Sequence, residues 1–224
     1  MPDASPKRRV FLLSPANLGG IRAGYVLNAN AEFELACRLR QDGVKLGELF
    51  SFISGLYFRG KLEYARAFCA VCPDGSGPMV ITAAAGLLSP ETVVTVDQLR
   101  AWATNDIDAR DARYRSPLNR DCRRIAETLG DSCDVVLLGS IATPKYVEPL
   151  LEVFGERLLF PAEFVGRGDM SRGGLMLRSV EAAEELAYVP VLNAVRHGPK
   201  PPRLAPLPAR RSKPAALAGS AKSL

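Results

Sequence analysis

Four short apolar runs stand out along the chain, at residues 9–13, 79–82, 133–138 and 157–160. Their apolarity is continuous rather than alternating, which predicts strands covered on both faces. Between them lie longer stretches with helical periodicity. The spacing predicts a helix over residues 30–42, with Phe33, Ala36, Cys37 and Arg40 on one side. A second helical region covers 45–68, interrupted by Gly55 and Gly60. A short helix over 95–104 has an acidic start at Asp97. Ser116-Pro117 and Thr143-Pro144 each read as N-cap and first helical residue, opening helices that stop at Gly130 and Gly155. A last helix is expected over about 180–187. Strands alternating with helices predict an α/β fold of three layers, a mainly parallel four-stranded sheet with helices on both faces. There is no internal repeat.

Composition changes at Gly198. Residues 198–224 hold six Pro, six Lys or Arg and no acid, which predicts a disordered basic tail. Residues 1–8 read as a flexible N-terminus and 9–197 as a single domain. The formal net charge of +5 comes from 29 basic and 24 acidic residues. Without the tail the body carries about −1, so the positive balance belongs to the tail. A flexible cationic segment strengthens binding to phosphate backbones by releasing counterions; a purely solubilising extension fits the same composition. Hydrophobic residues make up 47% of the chain, enough for a core and too many for a disordered protein. No apolar run approaches the roughly 20 residues a membrane span needs. Five cysteines without a secretion signal predict reduced thiols in a cytoplasmic protein, and no membrane association. A monomer is expected.

In open α/β sheets ligands bind beyond the carboxyl ends of the strands. Three loops leave such ends: 14–20, 139–143 and 161–174. The last holds Gly166, Gly168, Gly173 and Gly174 with Arg167 and Arg172, a composition that suits an anion; an ordinary loop with an Arg–Asp ion pair is the alternative. A second cluster, residues 57–64, interleaves Tyr57, Phe58 and Tyr64 with Arg59 and Lys61, so that stacking and phosphate contact are both available. Helical spacing puts Tyr57, Lys61 and Tyr64 on one face, which equally describes a core helix. Arg110, Arg113, Arg115, Arg120, Arg123 and Arg124 form either a DNA-facing ridge or a salt-bridged helix face. Cys69 and Cys72 make a C-x-x-C, but neither a second such pair nor a nearby His completes a zinc pattern, so no metal and no cofactor are assigned.

Residues 135–142, Val-Val-Leu-Leu-Gly-Ser-Ile-Ala, resemble the third core strand of the uracil-DNA glycosylase superfamily, where a hydrophobic strand runs into Gly and then Ala. Residues 158–161, followed by Phe164, Val165 and Gly166 through Ser171 and Leu175, are similar to that superfamily's fourth strand and DNA-intercalation loop. The opening strand with Ser14, Pro15, Ala16 and Asn17 stands in the place of its water-activating loop. The resemblance spans residues 9–178 and is nearest to prokaryotic antiviral glycosylases that remove hypermodified bases from phage DNA. The Ser-Pro-Ala step is also similar to the YaaA-type stress proteins. Two departures shape the expectation. The only histidine, His197, lies outside the fourth-strand motif, and Thr82 is followed only by Ala and Gly where the superfamily often carries a uracil-reading Asn. The resemblance therefore implies a DNA glycosylase for a bulky modified base, such as a glucosylated hydroxymethylcytosine, that leaves an abasic site. It implies catalytic roles for Asn17, Asp169 and Glu163. Substrate contacts fall to Ser14, Pro15, Tyr57, Lys61, Thr82 and Ser140. DNA contacts fall to Arg59, Arg167, Ser171, Arg172 and Lys145. A non-catalytic DNA-binding protein and a free-nucleotide N-glycoside hydrolase are the alternatives.

Overall fold

The computed structural model describes residues 8–69, 77–129 and 133–204. The first strand, β1 (Arg8–Leu13), is followed by α1 (Ile21–Leu27), α2 (Glu34–Gln41), the short β2 (Val44–Lys45), α3 (Leu46–Ser54) and α4 (Leu56–Phe68). Gly55 separates the last two helices at a φ of +59°, a conformation that favours glycine. Then come β3 (Met79–Ile81), β4 (Leu87–Leu88), β5 (Val93–Val94) and α5 (Val96–Ala103). A capping box closes the start of α5: Thr95 and Gln98 each satisfy the other's backbone N–H. The remainder is α6 (Ala112–Leu129), β6 (Cys133–Leu138), α7 (Pro144–Phe154), β7 (Leu158–Pro161), α8 (Asp169–Ala182) and β8 (Tyr188–Pro190).

The main sheet has the order β4-β3-β1-β6-β7-β8. Its four central strands, β3, β1, β6 and β7, are parallel, and β4 and β8 pair antiparallel at the edges. The four apolar runs of the sequence are these four parallel strands. Edge strands of two and three residues carry too little pattern to be legible. Helices α4 and α8 pack together on one face, α6 and α7 on the other. The α/β layering is thus as expected, with a six-stranded sheet in place of four. Residues 10–13 and 135–138 are buried almost completely, and Phe11 meets Tyr64 of α4 edge-on at 5.8 Å.

Several boundaries differ from the sequence pattern, each for a physical reason. The expected helix over 180–187 is α8, which starts at Asp169 and stops where Ala183 turns left-handed at φ +53°. Gly173 and Gly174 therefore lie inside a helix and not in an anion-binding loop. Gly60 likewise does not interrupt its helix. A Cβ on Gly60 would stand 2.7 Å from the Gly173 carbonyl oxygen, and one on Gly173 would stand 2.7 Å from that of Leu56. The two glycines let α4 and α8 touch backbone to backbone. Helix α6 begins one turn before Ser116, because Asp111 Oδ1 accepts the Arg113 N–H at 2.9 Å and starts the helix there. Pro117 sits within the helix, past its first turn, so the Arg113 carbonyl lacks the N–H it would otherwise accept from that position. In the 30–42 region the helix covers only Glu34–Gln41. Residues 198–204 follow the domain surface: the Arg167 guanidinium donates to the Pro202 carbonyl, and a side chain at Gly166 would strike the Pro199 carbonyl. Residues 1–7 and 205–224 lie outside the described residues.

Candidate active site

The chain leaves β1 toward β3 on one side and leaves β6 toward β7 on the other, so the topology switches direction between two neighbouring strands. Crevices form at such points, because the two following loops diverge. A cleft of about 840 Å³ opens there. Its floor is Ser14, Pro15 and Ala16 from the end of β1, with Ser140 from the end of β6 and Ala83 beyond β3. Its walls are aromatic: Phe50 of α3, Tyr57 of α4, Trp102 of α5 and Tyr146 of α7. Asn17, Asp106, Asp108, Arg110, Lys145 and Asp169 also line it.

Backbone contacts fix the floor. The Ser14 N–H donates to the Leu138 carbonyl at 3.1 Å, continuing the β1–β6 pairing past the strand end. A Cβ on Gly139 would stand 3.0 Å from the Ser14 Cβ, so glycine there makes room for the serine side chain. Asn17 is exposed, and its Oδ1 accepts the Gly19 N–H at 3.1 Å, a local turn that leaves the side-chain NH₂ and one oxygen lone pair for a ligand. Ser140 Oγ accepts the Ala142 N–H.

Beneath the floor lies Lys61, which is fully buried. Its ammonium nitrogen reaches the Ser14 carbonyl at 2.5 Å and Ser14 Oγ at 2.9 Å, and lies 4.3 Å from the centre of the Tyr57 ring. Among the described residues it makes no ion pair. Burial pulls its pKa down to about 7; Asp169 opposes this and Arg172 adds to it. The Tyr57 hydroxyl is buried with no hydrogen-bond partner among the described residues, although the Arg172 guanidinium and Ser14 are close enough to influence it. Burial pushes that hydroxyl up to about 12, with Arg172 acting against it. Burial and the neighbouring Tyr57 also raise Tyr146. An orphan hydroxyl in a cleft wall is a donor for a bound ligand.

Of the residues singled out in the sequence, Ser14, Pro15, Asn17, Tyr57, Ser140, Lys145 and Asp169 come together at the cleft, with Lys61 directly below. The others have different surroundings. Thr82 is wholly buried, its hydroxyl shared between the Gly86 carbonyl and the Ala85 N–H, so it builds a turn. Glu163 is exposed away from the cleft, and its backbone carbonyl accepts from Arg167. Arg167 bonds Ser171 Oγ and the Pro202 carbonyl. The Arg172 side chain is only 11% exposed; it donates to the Phe164 carbonyl and faces Asp169 at 3.8 Å. Arg59 lies 3.9 Å from Glu63 of its own helix. The arginine run around α6 is largely paired: Arg110 to Asp108, Arg113 to Asp111, Arg120 to Asp121, and Arg115 and Arg123 to Glu152. Cys69 is half-buried, Cys122 and Cys133 are buried, and Cys72 lies outside the described residues.

Sequence reasoning missed Trp102, Tyr146, Asp106 and Asp108. One signal was present for three of them. The only tryptophan ends a well-capped helix and runs straight into an Asn- and Asp-rich turn. Tyr146 is in the first turn after the Thr143-Pro144 helix start, the position that faces a crevice at a strand's carboxyl end. No family model, no curated protein and no solved structure matches the chain.

Proposed function

We propose that the protein is an N-glycoside hydrolase that accepts a flipped, modified nucleotide of DNA in the cleft and releases its base. The observation that carries this reading is the composition of the cleft: aromatic faces around a floor of small residues, with carboxylates at the mouth. Breaking an N-glycosidic bond puts positive charge on the sugar and negative charge on the departing base. Tyr57, Tyr146, Trp102 and Phe50 offer stacking surfaces for the base. Asp169, with Asp106 and Asp108 across the mouth, supplies negative charge for the sugar cation. Asn17 has the amide atoms to hold the attacking water. Ala83, at the end of β3, leaves space where a larger polar side chain would read a plain pyrimidine edge. The volume of about 840 Å³ is that of a site for a whole small molecule and suits a base carrying a bulky substituent such as a glucosylated hydroxymethyl group.

A polymeric substrate is favoured by exposed apolar residues that are neighbours in sequence of the cleft lining. Met170, next to Asp169, is 65% exposed, and Ile21, just past the Asn17 loop, is 76% exposed. Apolar side chains so placed act as wedges that hold a base step open after the nucleotide has left the stack. A second reading, a hydrolase of free nucleosides, draws on the mouth itself, where Asp106, Asp108 and Asp169 outnumber Arg110 and Lys145 and Arg110 is held by Asp108. Duplexes carrying glucosylated hydroxymethylcytosine, other modified bases or none, incubated with protein and then treated with alkali, separate the cases. Strand breaks at modified positions only are expected. Asn17→Ala should reduce them by about 10²-fold or more. Turnover of free nucleosides with intact duplexes would replace the first reading by the second.

A further inference from the structure

Lys61 is unusual in its company. Lysine is among the residues least often buried, and a buried ammonium is normally held by a carboxylate. Here the side chain ends on a serine. Lys61 Nζ has two oxygen neighbours, the Ser14 carbonyl at 2.5 Å and Ser14 Oγ at 2.9 Å, and Ser14 Oγ has a second, weaker neighbour in the Leu138 carbonyl at 3.3 Å. These contacts admit two arrangements of protons. A charged Lys61 donates to both serine oxygens, and the Ser14 proton points to the Leu138 carbonyl. A neutral Lys61 donates once, to the Ser14 carbonyl, and turns its lone pair to the Ser14 hydroxyl, which then donates to it.

We propose that Ser14 and Lys61 are a hydroxyl and its base, with Ser14 the catalytic residue at the cleft floor and Lys61 the buried positioning residue that activates it. The pair goes beyond the residues assigned to water activation above, and its use in base release rests on that reading. The neutral amine of Lys61 takes the Ser14 proton while Ser14 Oγ takes one from a water in the cleft. The oxygen of that water bonds to the sugar C1′ as the C1′–N bond breaks and its electron pair leaves with the base. The proton gained by Lys61 returns to the released base or to solvent.

The surroundings keep the amine available. From α4 itself, Tyr57 and Phe58 present ring faces to Lys61 at 4.3 and 5.0 Å, and Tyr146 of α7 stands beside Tyr57. From α8, Asp169 favours the charged form and Arg172 disfavours it. Of the two, Asp169 acts the more strongly, and burial outweighs it in favouring the neutral amine. Gly139 leaves the serine side chain its place above the lysine.

The test reads the hydroxyl and the amine separately from base release. A fluorophosphonate probe reports an activated serine: Ser14 Oγ bonds to phosphorus, fluoride leaves, and Lys61 takes the proton. Peptide mass spectrometry locates the adduct across pH 5–9, and ¹³Cε-labelled lysine followed by NMR gives the titration of Lys61. Labelling of Ser14 is expected, rising with pH along the curve on which Lys61 loses its proton near neutrality. Lys61→Arg and Lys61→Met should each slow it by about 10²-fold, with melting curves showing that the variants are folded. Absence of labelling, labelling that survives both Lys61 variants, or a Lys61 that stays charged through pH 9 overturns the pair. Labelling of Ser14 in a protein that releases no base overturns the proposed function and leaves the pair standing.

Discussion

Among single residues, the consequential feature is a lysine whose pKa falls on folding. In the unfolded chain Lys61 titrates near its ordinary value of 10.5; in the folded protein it does so near 7. Between these values the unfolded state binds more protons, so the Lys61 contribution to stability improves as pH rises from about 7 to about 10.5. Below pH 7 the penalty for burying the charge is fully present. Lys61→Met removes that dependence. Its stability relative to the native chain should be highest at or below pH 7 and decline toward pH 10, by about 1.4 kcal/mol for each pH step of one between the two values. Urea unfolding at a series of pH values measures this, and a constant difference would mean that Lys61 keeps its ordinary pKa in the fold. The helical spacing of Tyr57, Lys61 and Tyr64 was legible in the sequence, but which way that face turned was not. Alternation of aromatic and basic residues suits a nucleic-acid surface and a snorkelling core helix equally, and only the crossing with α8 turns it inward. The loop residues Ser14, Asn17 and Ser140 were legible for a simpler reason: strand ends and their exits are written in apolar runs and small residues.

Among the helices and strands, the run Gly166 to Gly174 shows how local composition misleads. Glycine is a poor helix former, so four glycines in nine residues read as a loop. Two of them, Gly173 and Gly174, are helical because tertiary contact overrides propensity, and at Gly173 α8 approaches α4 too closely for a side chain. The two positions make a paired prediction. Gly173→Ala places a Cβ within 2.7 Å of the Leu56 carbonyl and should cost about 1–3 kcal/mol. Gly174→Ala meets only the flexible ends of Arg178 and Leu204, at 3.3 and 3.7 Å, and should be neutral or stabilise by up to about 1 kcal/mol. Thermal melts of the two variants measure the contrast; equal effects would mean that the two helices do not cross so closely. The consequence reaches the site, because α8 carries Asp169 to the cleft and Arg172 to the Lys61 environment.

Across the molecule as a whole, charge and function separate. The body is near neutral, and the arginines around α6 are mostly tied to carboxylates of the same surface. If the substrate is DNA, as proposed, the basic residues of 205–224, namely Arg210, Arg211, Lys213 and Lys222, are the ones that would add phosphate affinity. Truncation after residue 204 should reduce the salt dependence of DNA binding by a log–log slope of about 3–4. Truncation after residue 197 should lower the melting temperature below that of the chain ending at 204, because it removes the segment that packs on Val165, Gly166 and Arg167. The composition break at Gly198 was plain in the sequence; that its first residues fold back onto the domain was not, since a carbonyl that accepts from Arg167 leaves no compositional trace.

If the cleft between the ends of β1 and β6 hydrolyses the bond between a modified base and its sugar, the released base can be weighed. Genomic DNAs, some carrying glucosylated hydroxymethylcytosine and some unmodified, are incubated with the protein, and the small molecules set free are identified by mass spectrometry. The free modified base is expected from modified DNA alone, one equivalent per abasic site, and should be lost in Asn17→Ala. Modified DNA that stays intact after prolonged incubation with folded protein would contradict hydrolysis at this cleft.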